Sequence, residues 1–249
     1  MSLSGNAFEQ RLPSRLSEGL VRQLGVAEAI LRARAHFFDE IRKRVDLPAK
    51  IRAMIVASVA FLALYGAVIG SSLSPLQALS SAIKLPALFL ITSLICLPTL
   101  YFFNALFGSK QSLRQILALI LIPITVSAVL IFSFAPITLF FLLTTNHYQF
   151  FKLLNVAFFA IAGVIGMWFL AQGMHAVSGS DGEGAHLRQW TTACWIVVYA
   201  FVGSQMAWTL RPFIGYPGAE FEIVRQLGGN FYLDILGSMG EVLGFLIIK

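Results

Sequence analysis

Between Asp46 and Asp181 the chain has no carboxylate side chain. Over residues 47–180 its only charges are Lys50, Arg52, Lys84, Lys110, Arg114 and Lys152. Proton- and cation-handling membrane machines usually rely on acidic groups inside the bilayer, so this gap argues against that class of function. Charge of either sign is scarce. Charged residues make up 12% of the chain, against about 25% in a soluble domain. Cysteine is nearly absent. Cys96 and Cys194 stand far apart, form no CxxC or ligand pattern, and read as buried structural thiols. His36, His147, His175 and His186 show no HxxxH, HxxE or HExxH spacing, so no metal site and no cofactor are expected. His147, in Thr-Asn-His-Tyr, reads as a loop histidine at a membrane boundary, with a pH-sensing role as the sharper alternative. Ala176-Val177-Ser178-Gly179 only faintly resembles a GxSG protease motif. Its first glycine is replaced, and no later span carries a histidine partner. Neither a P-loop nor a dinucleotide fingerprint occurs, so the chain reads as no enzyme.

What is present is apolar length. Hydrophobic residues form 57% of the chain, and mean hydropathy is +0.78. Uncharged apolar runs of about 18 residues or more read as spanning helices, because about 30 Å of hydrocarbon needs about 20 residues at 1.5 Å each. The pattern predicts an all-α, polytopic helical membrane protein with five transmembrane helices. They lie at about Ala53–Ser72, Leu85–Phe107, within Gln115–Leu143, Leu153–Met174 and Trp190–Leu210, and a sixth remains open. The third run would measure about 44 Å as one helix, too long for an upright crossing. With Pro123 and Pro136 inside it, a kink is expected, with Phe134–Thr144 bending away. Trp190 and Trp208, about 27 Å apart along a helix, suit two interfacial anchors.

The flanks divide into residues 1–13, read as a flexible N-terminus, and residues 14–47, read as a basic amphipathic helix. Residues 48–210 form the bundle, and residues 211–249 a tail. In the N-terminal helix Leu16, Leu20, Leu24, Ala27, Leu31, Ala35, Phe38 and Val45 form the apolar stripe, with most arginines off it. Such a helix either lies in the membrane surface or packs against protein. Asp46-Leu47-Pro48 reads as an acidic cap followed by proline in the first helical turn. Ser74–Ser81 reads as a polar segment between spans. No apolar core occurs in the first 46 residues, so no secretory signal is expected.

With the N-terminus inside, thirteen Lys/Arg fall on cytoplasmic segments and four (Lys84, Lys152, Arg211 and Arg225) on the other side. The net charge of +6 therefore reads as the positive-inside bias of a multi-pass protein with a cytoplasmic N-terminus, not as a nucleic-acid footprint. The membrane expected is a bacterial inner, or thylakoid, membrane.

Candidate functional residues fall into three sets. Gly66-xxx-Gly70, Ala162-xxx-Gly166 and Gly240-xxx-Gly244 are small-residue faces that let helix backbones approach closely, within the chain or across a dimer seam. Lys84 and Lys152 lie near the outer rim. They read as snorkelling lysines or, more sharply, as a rim attracting anions to an oligomeric pore. Asp234 and Glu241, seven residues apart, share one face of the apolar segment Phe231–Ile248. They make it a surface helix or a sixth span with a polar seam. Asn104, Asn155, Gln172 and Gln205 are the remaining polar residues at membrane level.

Leu73-Ser-Pro-Leu-Gln-Ala-Leu-Ser-Ser-Ala-Ile-Lys-Leu-Pro-Ala-Leu through Cys96-Leu-Pro-Thr-Leu-Tyr-Phe-Phe-Asn104, and Gly203-Ser-Gln-Met-Ala-Trp-Thr-Leu-Arg-Pro-Phe213 with Gly229-Asn-Phe-Tyr232, resemble an uncharacterised family of bacterial, cyanobacterial-type multi-span membrane proteins. More loosely, Phe107-Gly-Ser-Lys-Gln-Ser-Leu-Arg-Gln115 resembles the Yip1 domain. That resemblance implies about five spans, a cytosolic N-terminus and a role in membrane organisation. Neither family supplies catalytic residues. The function expected is a non-enzymatic membrane subunit or scaffold whose partners are membrane lipid and a membrane protein or further copies of itself. A homo-oligomeric channel or carrier, more suited to anions, is the alternative.

Overall fold

The computed structural model describes residues 24–72, 74–106, 111–145, 147–178, 185–214, 229 and 231–244. Residues 24–32 are helical. After them come α1 (Arg34–Arg42), α2 (Leu47–Gly70), α3 (Pro75–Leu106), α4 (Leu113–Ser133), α5 (Ala135–Thr144), α6 (Tyr148–Ser178), α7 (Ala185–Thr209) and α8 (Phe231–Val242). All regular structure among the described residues is helical. Four helices, α2, α3, α4 and α6, are long and apolar enough to cross a membrane.

Helix α4 is the centre of the bundle. Its most apolar stretch is 72% buried inside the protein, against 33% to 44% for the other three, so protein surrounds α4 while the others turn one side outward. Its N-terminus is written locally. The Ser112 side chain accepts from the Gln115 N–H, and the Gln115 side chain accepts from the Ser112 N–H, a reciprocal capping box. Helices α2 and α6 both pack on α4, α3 packs on α2, and α7 packs on α3. On α4, Ile116, Leu119, Ile120, Ile122 and Ile124 are all at most 1% exposed, so Leu/Ile packing fills the core.

The third apolar run bends at Phe134, between α4 and α5. Pro136 sits in the first turn of α5, where its missing N–H costs no helical bond. The Phe134 ring stacks on Phe158 of α6, with centroids 4.4 Å apart and planes 8° from parallel.

Three local expectations are corrected. Ser74–Ser81 is not a segment separate from the second span: α3 starts at Pro75, and its 32 residues run unbroken through the polar stretch into the apolar one. The Ser74 hydroxyl accepts from the Gln77 N–H at 3.1 Å, which caps this start. Asp46 is no side-chain cap. Its φ is 47°, in the left-handed region, and its carboxylate caps nothing. With Arg44 at φ 61°, it turns the chain sharply from α1 into α2. Finally, the apolar stripe ahead of α2 is Val26, Ala27, Ile30, Phe37, Phe38 and Ile41. Leu31, Ala35 and Val45, assigned to the stripe by periodicity, are exposed. The helix is interrupted at Ala33, which breaks the phase assumed for one continuous helix. The buried stripe packs on protein, mainly on α6. The part of the expected helix before residue 24 lies outside the described residues.

At twelve residues, or about 18 Å, α8 is too short to cross hydrocarbon. It packs on α6 and α7. Glu220, Glu222 and Arg225, and residues 245–249 of the expected tail helix, lie outside the described residues. Cys96 is buried, whereas Cys194, expected to be buried too, is exposed.

The α2–α3 contact is close enough to exclude any side chain on its glycine face. A Cβ on Gly70 would sit 2.5 Å from the Gln77 carbonyl oxygen and 2.7 Å from the Ala78 Cα. A Cβ on Gly66 would sit 2.8 Å from the Ser81 carbonyl carbon. These neighbours are backbone and cannot rotate away. Gly70→Ala should therefore destabilise the chain by about 1–3 kcal/mol through overpacking. Gly163→Ala, where nothing lies within 4 Å, should be neutral or gain a few tenths of a kcal/mol from about 1 kcal/mol of helix propensity. Thermal unfolding of the purified protein in one detergent compares them, and equal midpoints for the two variants would contradict this account of the glycine face.

Candidate functional site

The polar side chains inside the bundle form separate small nodes, each tying two or three helices. The Ser58 and Thr125 hydroxyls meet at 3.1 Å between α2 and α4. Tyr65 of α2 donates to the Asn155 Oδ1 of α6 at 2.7 Å. Its proton is then committed, so the Thr138 hydroxyl of α5 donates to the Tyr65 oxygen at 3.0 Å. Asn155 in turn donates to the Phe151 carbonyl at 2.8 Å. The Ser93 and Tyr199 hydroxyls meet at 2.9 Å between α3 and α7. Trp195 of α7 donates from Nε1 to the Cys96 carbonyl at 3.2 Å. Ser127 of α4 donates to the Ala162 carbonyl of α6 at 2.9 Å. These bonds occur where water is excluded, so each joins the helices at one register.

The densest node lies near the start of α3 and is built from two residues of the polar segment between spans, Gln77 and Ser81, and the rim lysine Lys84. Gln77, Ser81 and Lys84 lie along one face at helical spacing, and all three are buried. Gln77 donates from Nε2 to the Pro212 carbonyl at 2.9 Å and, more distantly, to the Phe213 carbonyl at 3.4 Å. The Ser81 hydroxyl donates to the Phe213 carbonyl at 2.6 Å. Lys84 Nζ donates to the Pro212 carbonyl at 3.2 Å. The three side chains thus grip the two carbonyls that follow α7. Just before them the Arg211 guanidinium lies 3.4 Å from the Trp208 ring centroid, a cation–π contact at the end of α7.

Neither rim lysine is a free surface charge. Lys84 is 7% exposed and turned into the node. Lys152 bonds Asp234 of α8 at 2.8 Å. Glu241 accepts from Gln149 Nε2 at 2.9 Å. Asp234 and Glu241 therefore do share a face, and it is turned to the first turns of α6. A third bond joins the Tyr232 and Ser204 hydroxyls at 2.9 Å, linking α8 to α7.

The small-residue faces have different fates. Gly66 and Gly70 lie against the backbone of α3. Ala162 is fully buried, and a Cβ on Gly166 would sit 2.5 Å from the Ser127 Oγ and 2.8 Å from the Pro123 carbonyl oxygen, so this pair is the seat of α6 on α4. Gly240 is only partly buried. Gly244 lies beyond the end of α8 with φ 77° and open space around it. The helix ends before Gly244, so the motif is not completed on one helical face. Among the described residues no group of three His, Cys, Asp or Glu side chains could hold a metal ion. Sequence reasoning singled out Asn155 but missed Tyr65, Thr138, Ser93 and Tyr199. Single hydroxyls in apolar runs carry no periodic signal, and their partners lie 73 to 106 residues away.

At the opposite end of α6, a shallow groove of about 510 Å³ opens between α1 and α6. Arg34, Ala35, Phe38, Trp168, Gln172 and His175 are among its walls.

The grip on residues 212 and 213 is redundant, and this sets its mutational signature. Without Ser81, the Phe213 carbonyl keeps the weak Gln77 donor; without Gln77, it keeps Ser81. Ser81→Ala and Gln77→Leu together leave it with neither. The double variant should lose more stability than the sum of the singles, by about 1 kcal/mol of coupling. Thermal midpoints of the four proteins measure this, and strict additivity would remove the shared-acceptor account.

No family model matches the chain, and neither the curated proteins nor the solved structures contain a significant match to it.

Proposed function

We propose that this chain is a non-enzymatic integral membrane subunit or scaffold that binds membrane lipid and another membrane protein. The observation that carries the reading is where its polar chemistry goes. Ser58, Tyr65, Gln77, Ser81, Lys84, Ser93, Thr125, Thr138 and Asn155 are all bound to protein groups on neighbouring segments. Lys152 is neutralised by Asp234. These groups hold helices together, and their geometry is that of fasteners.

The outer faces support the same reading. Leu76, Leu79, Ile83, Leu94, Phe102 and Leu106 along α3 are all more than 60% exposed. Lipid tails and partner helices are the surroundings in which such a face is stable.

In this reading α7, 25 residues long, is a fifth crossing and α8 a helix on the outer surface. The N-terminus and the basic residues of α1 are cytoplasmic, as the lysine and arginine distribution favours. The membrane is a bacterial inner or thylakoid membrane, which accords with the resemblance to cyanobacterial-type multi-span proteins. The occupation of both rim lysines weighs against an anion pore built on them.

Solubilisation of the chain from its own membrane in mild detergent tests the reading. It should migrate in an assembly larger than its own 27.3 kDa plus micelle, and a second membrane protein or further copies should co-purify in fixed ratio. Recovery as a lone monomer would overturn it. Liposomes holding the purified chain should lose chloride no faster than empty ones, and a chloride leak abolished by Lys84→Met would replace this reading with a channel.

A further inference from the structure

We infer that the groove between α1 and α6 is a binding site for one anionic phospholipid, its phosphate held at Arg34 and an acyl chain laid along Trp168 and Phe38. This deepens the proposal above and rests on its placement of α1 at the cytoplasmic interface.

The groove has the two-part chemistry such a molecule requires. Its floor and one wall are apolar: Ala35 and Phe38 from α1, with Trp168 and two alanines from α6. Its volume of about 510 Å³ lies within the roughly 300–1,000 Å³ usual for small-molecule sites. Its polar groups are Arg34, Gln172 and His175, and among the described residues no carboxylate lines it. The Arg34 guanidinium lies 5.4 Å from the Trp168 ring centroid, which poses the cation over the apolar floor. Arg34 forms no ion pair among the described residues, whereas neighbouring Arg32 and Lys43 bond Glu28 at 3.0 Å and Asp39 at 2.6 Å. Arg42 likewise forms no ion pair among the described residues, but of the two arginines of α1 only Arg34 lines the groove.

Position selects the ligand class. Trp168 is half exposed on a helix apolar enough to span, about three turns from its C-terminal end. That places Trp168 about 15 Å below that end, at the depth of acyl chains, with Gln172 and His175 nearer the head groups. A molecule reaching the groove there approaches within the leaflet, with its anionic end toward Arg34 and its hydrocarbon toward Trp168 of α6. A phospholipid with a net negative head group has this polarity and is present in the bilayer at high concentration. A guanidinium also suits phosphate, because its planar N–H donors match two oxygens at once.

The test uses the whole chain in phosphatidylcholine vesicles containing phosphatidylglycerol with a photoactivatable acyl chain. Illumination should label the peptide carrying Trp168. Arg34→Gln should lower that labelling about fivefold, the equivalent of about 1 kcal/mol for one cation near a charged membrane surface. Lys43→Gln, which removes a cation already paired, should leave it unchanged. An independent measurement avoids charge variants. Phosphatidylglycerol with brominated acyl chains should quench Trp168 fluorescence more than brominated phosphatidylcholine does, read as the difference between the chain and Trp168→Phe. Labelling spread evenly over the spans, equal loss in Arg34→Gln and Lys43→Gln, or equal quenching by the two lipids would each overturn the site. Those outcomes leave co-purification of a protein partner unaffected, so failure of the site and failure of the scaffold reading are separable.

Discussion

A polar side chain facing hydrocarbon has no water to fall back on, and this condition governs the structure. In a bilayer an unpaired donor or acceptor costs several kcal/mol, so each inward hydroxyl or amide must find a protein group. The bundle meets the condition at most such groups with separate local pairs, Ser58 with Thr125, Tyr65 with Thr138 and Asn155, Ser93 with Tyr199, while the buried Thr92 hydroxyl of α3 has no partner among the described residues. Each pair has a short reach, so it forms at only one sliding position of the two helices. Polar satisfaction and helix register thereby become the same requirement. The Tyr65 node reaches furthest, because it joins α2, α5 and α6 and so fixes where the short helix after the Phe134 bend comes to rest.

Close backbone approach is the complementary device. Between lipid-embedded helices there is little hydrophobic driving force, so contact area and dispersion have to come from proximity. Gly66 and Gly70 bring α2 onto the backbone of α3, and Gly166 does the same for α6 on α4. Both faces are consumed inside the chain. What remains outside is mostly large and apolar, as along α3. A partner would therefore meet Leu, Ile and Phe side chains, and would dock by shape on a surface otherwise covered by lipid tails.

The two ends of the bundle differ in how they handle charge. At the end where α3 and α6 begin, Lys84 is sunk among carbonyls and Lys152 is bound to Asp234. At the other, residues 28–52 carry Arg32, Arg34, Arg42, Lys43, Arg44, Lys50 and Arg52 against Glu28, Asp39, Glu40 and Asp46. The excess of cations there matches the sign of an anionic leaflet. The lysines are thus tied down at the first end, whereas the second, itself fastened by Gln115 to the Ile41 and Arg42 carbonyls, keeps most of the exposed cations.

The sequence by itself determined the helical class and the presence of helices long and apolar enough to cross a membrane. Long uncharged apolar runs carry that signal, and Pro136 in an overlong run marked the bend that occurs at Phe134. It also exposed the shared face of Asp234 and Glu241, because a seven-residue spacing is a local property of any helix. Only the tertiary structure decided the direction in which polar residues point. Gln77 and Ser81 read only as part of a polar segment between spans and Lys84 as a rim lysine, until residues 212 and 213, more than 125 positions away, supply the carbonyls that make them interior. The break at Ala33 likewise moved the buried stripe of the N-terminal region to Val26, Ile30, Phe37 and Ile41, a shift that periodicity misses once the helix is interrupted. Local periodicity fixes which residues share a face. What that face meets depends on partners distant in the chain, and in hydrocarbon those partners decide whether a polar residue can be buried at all.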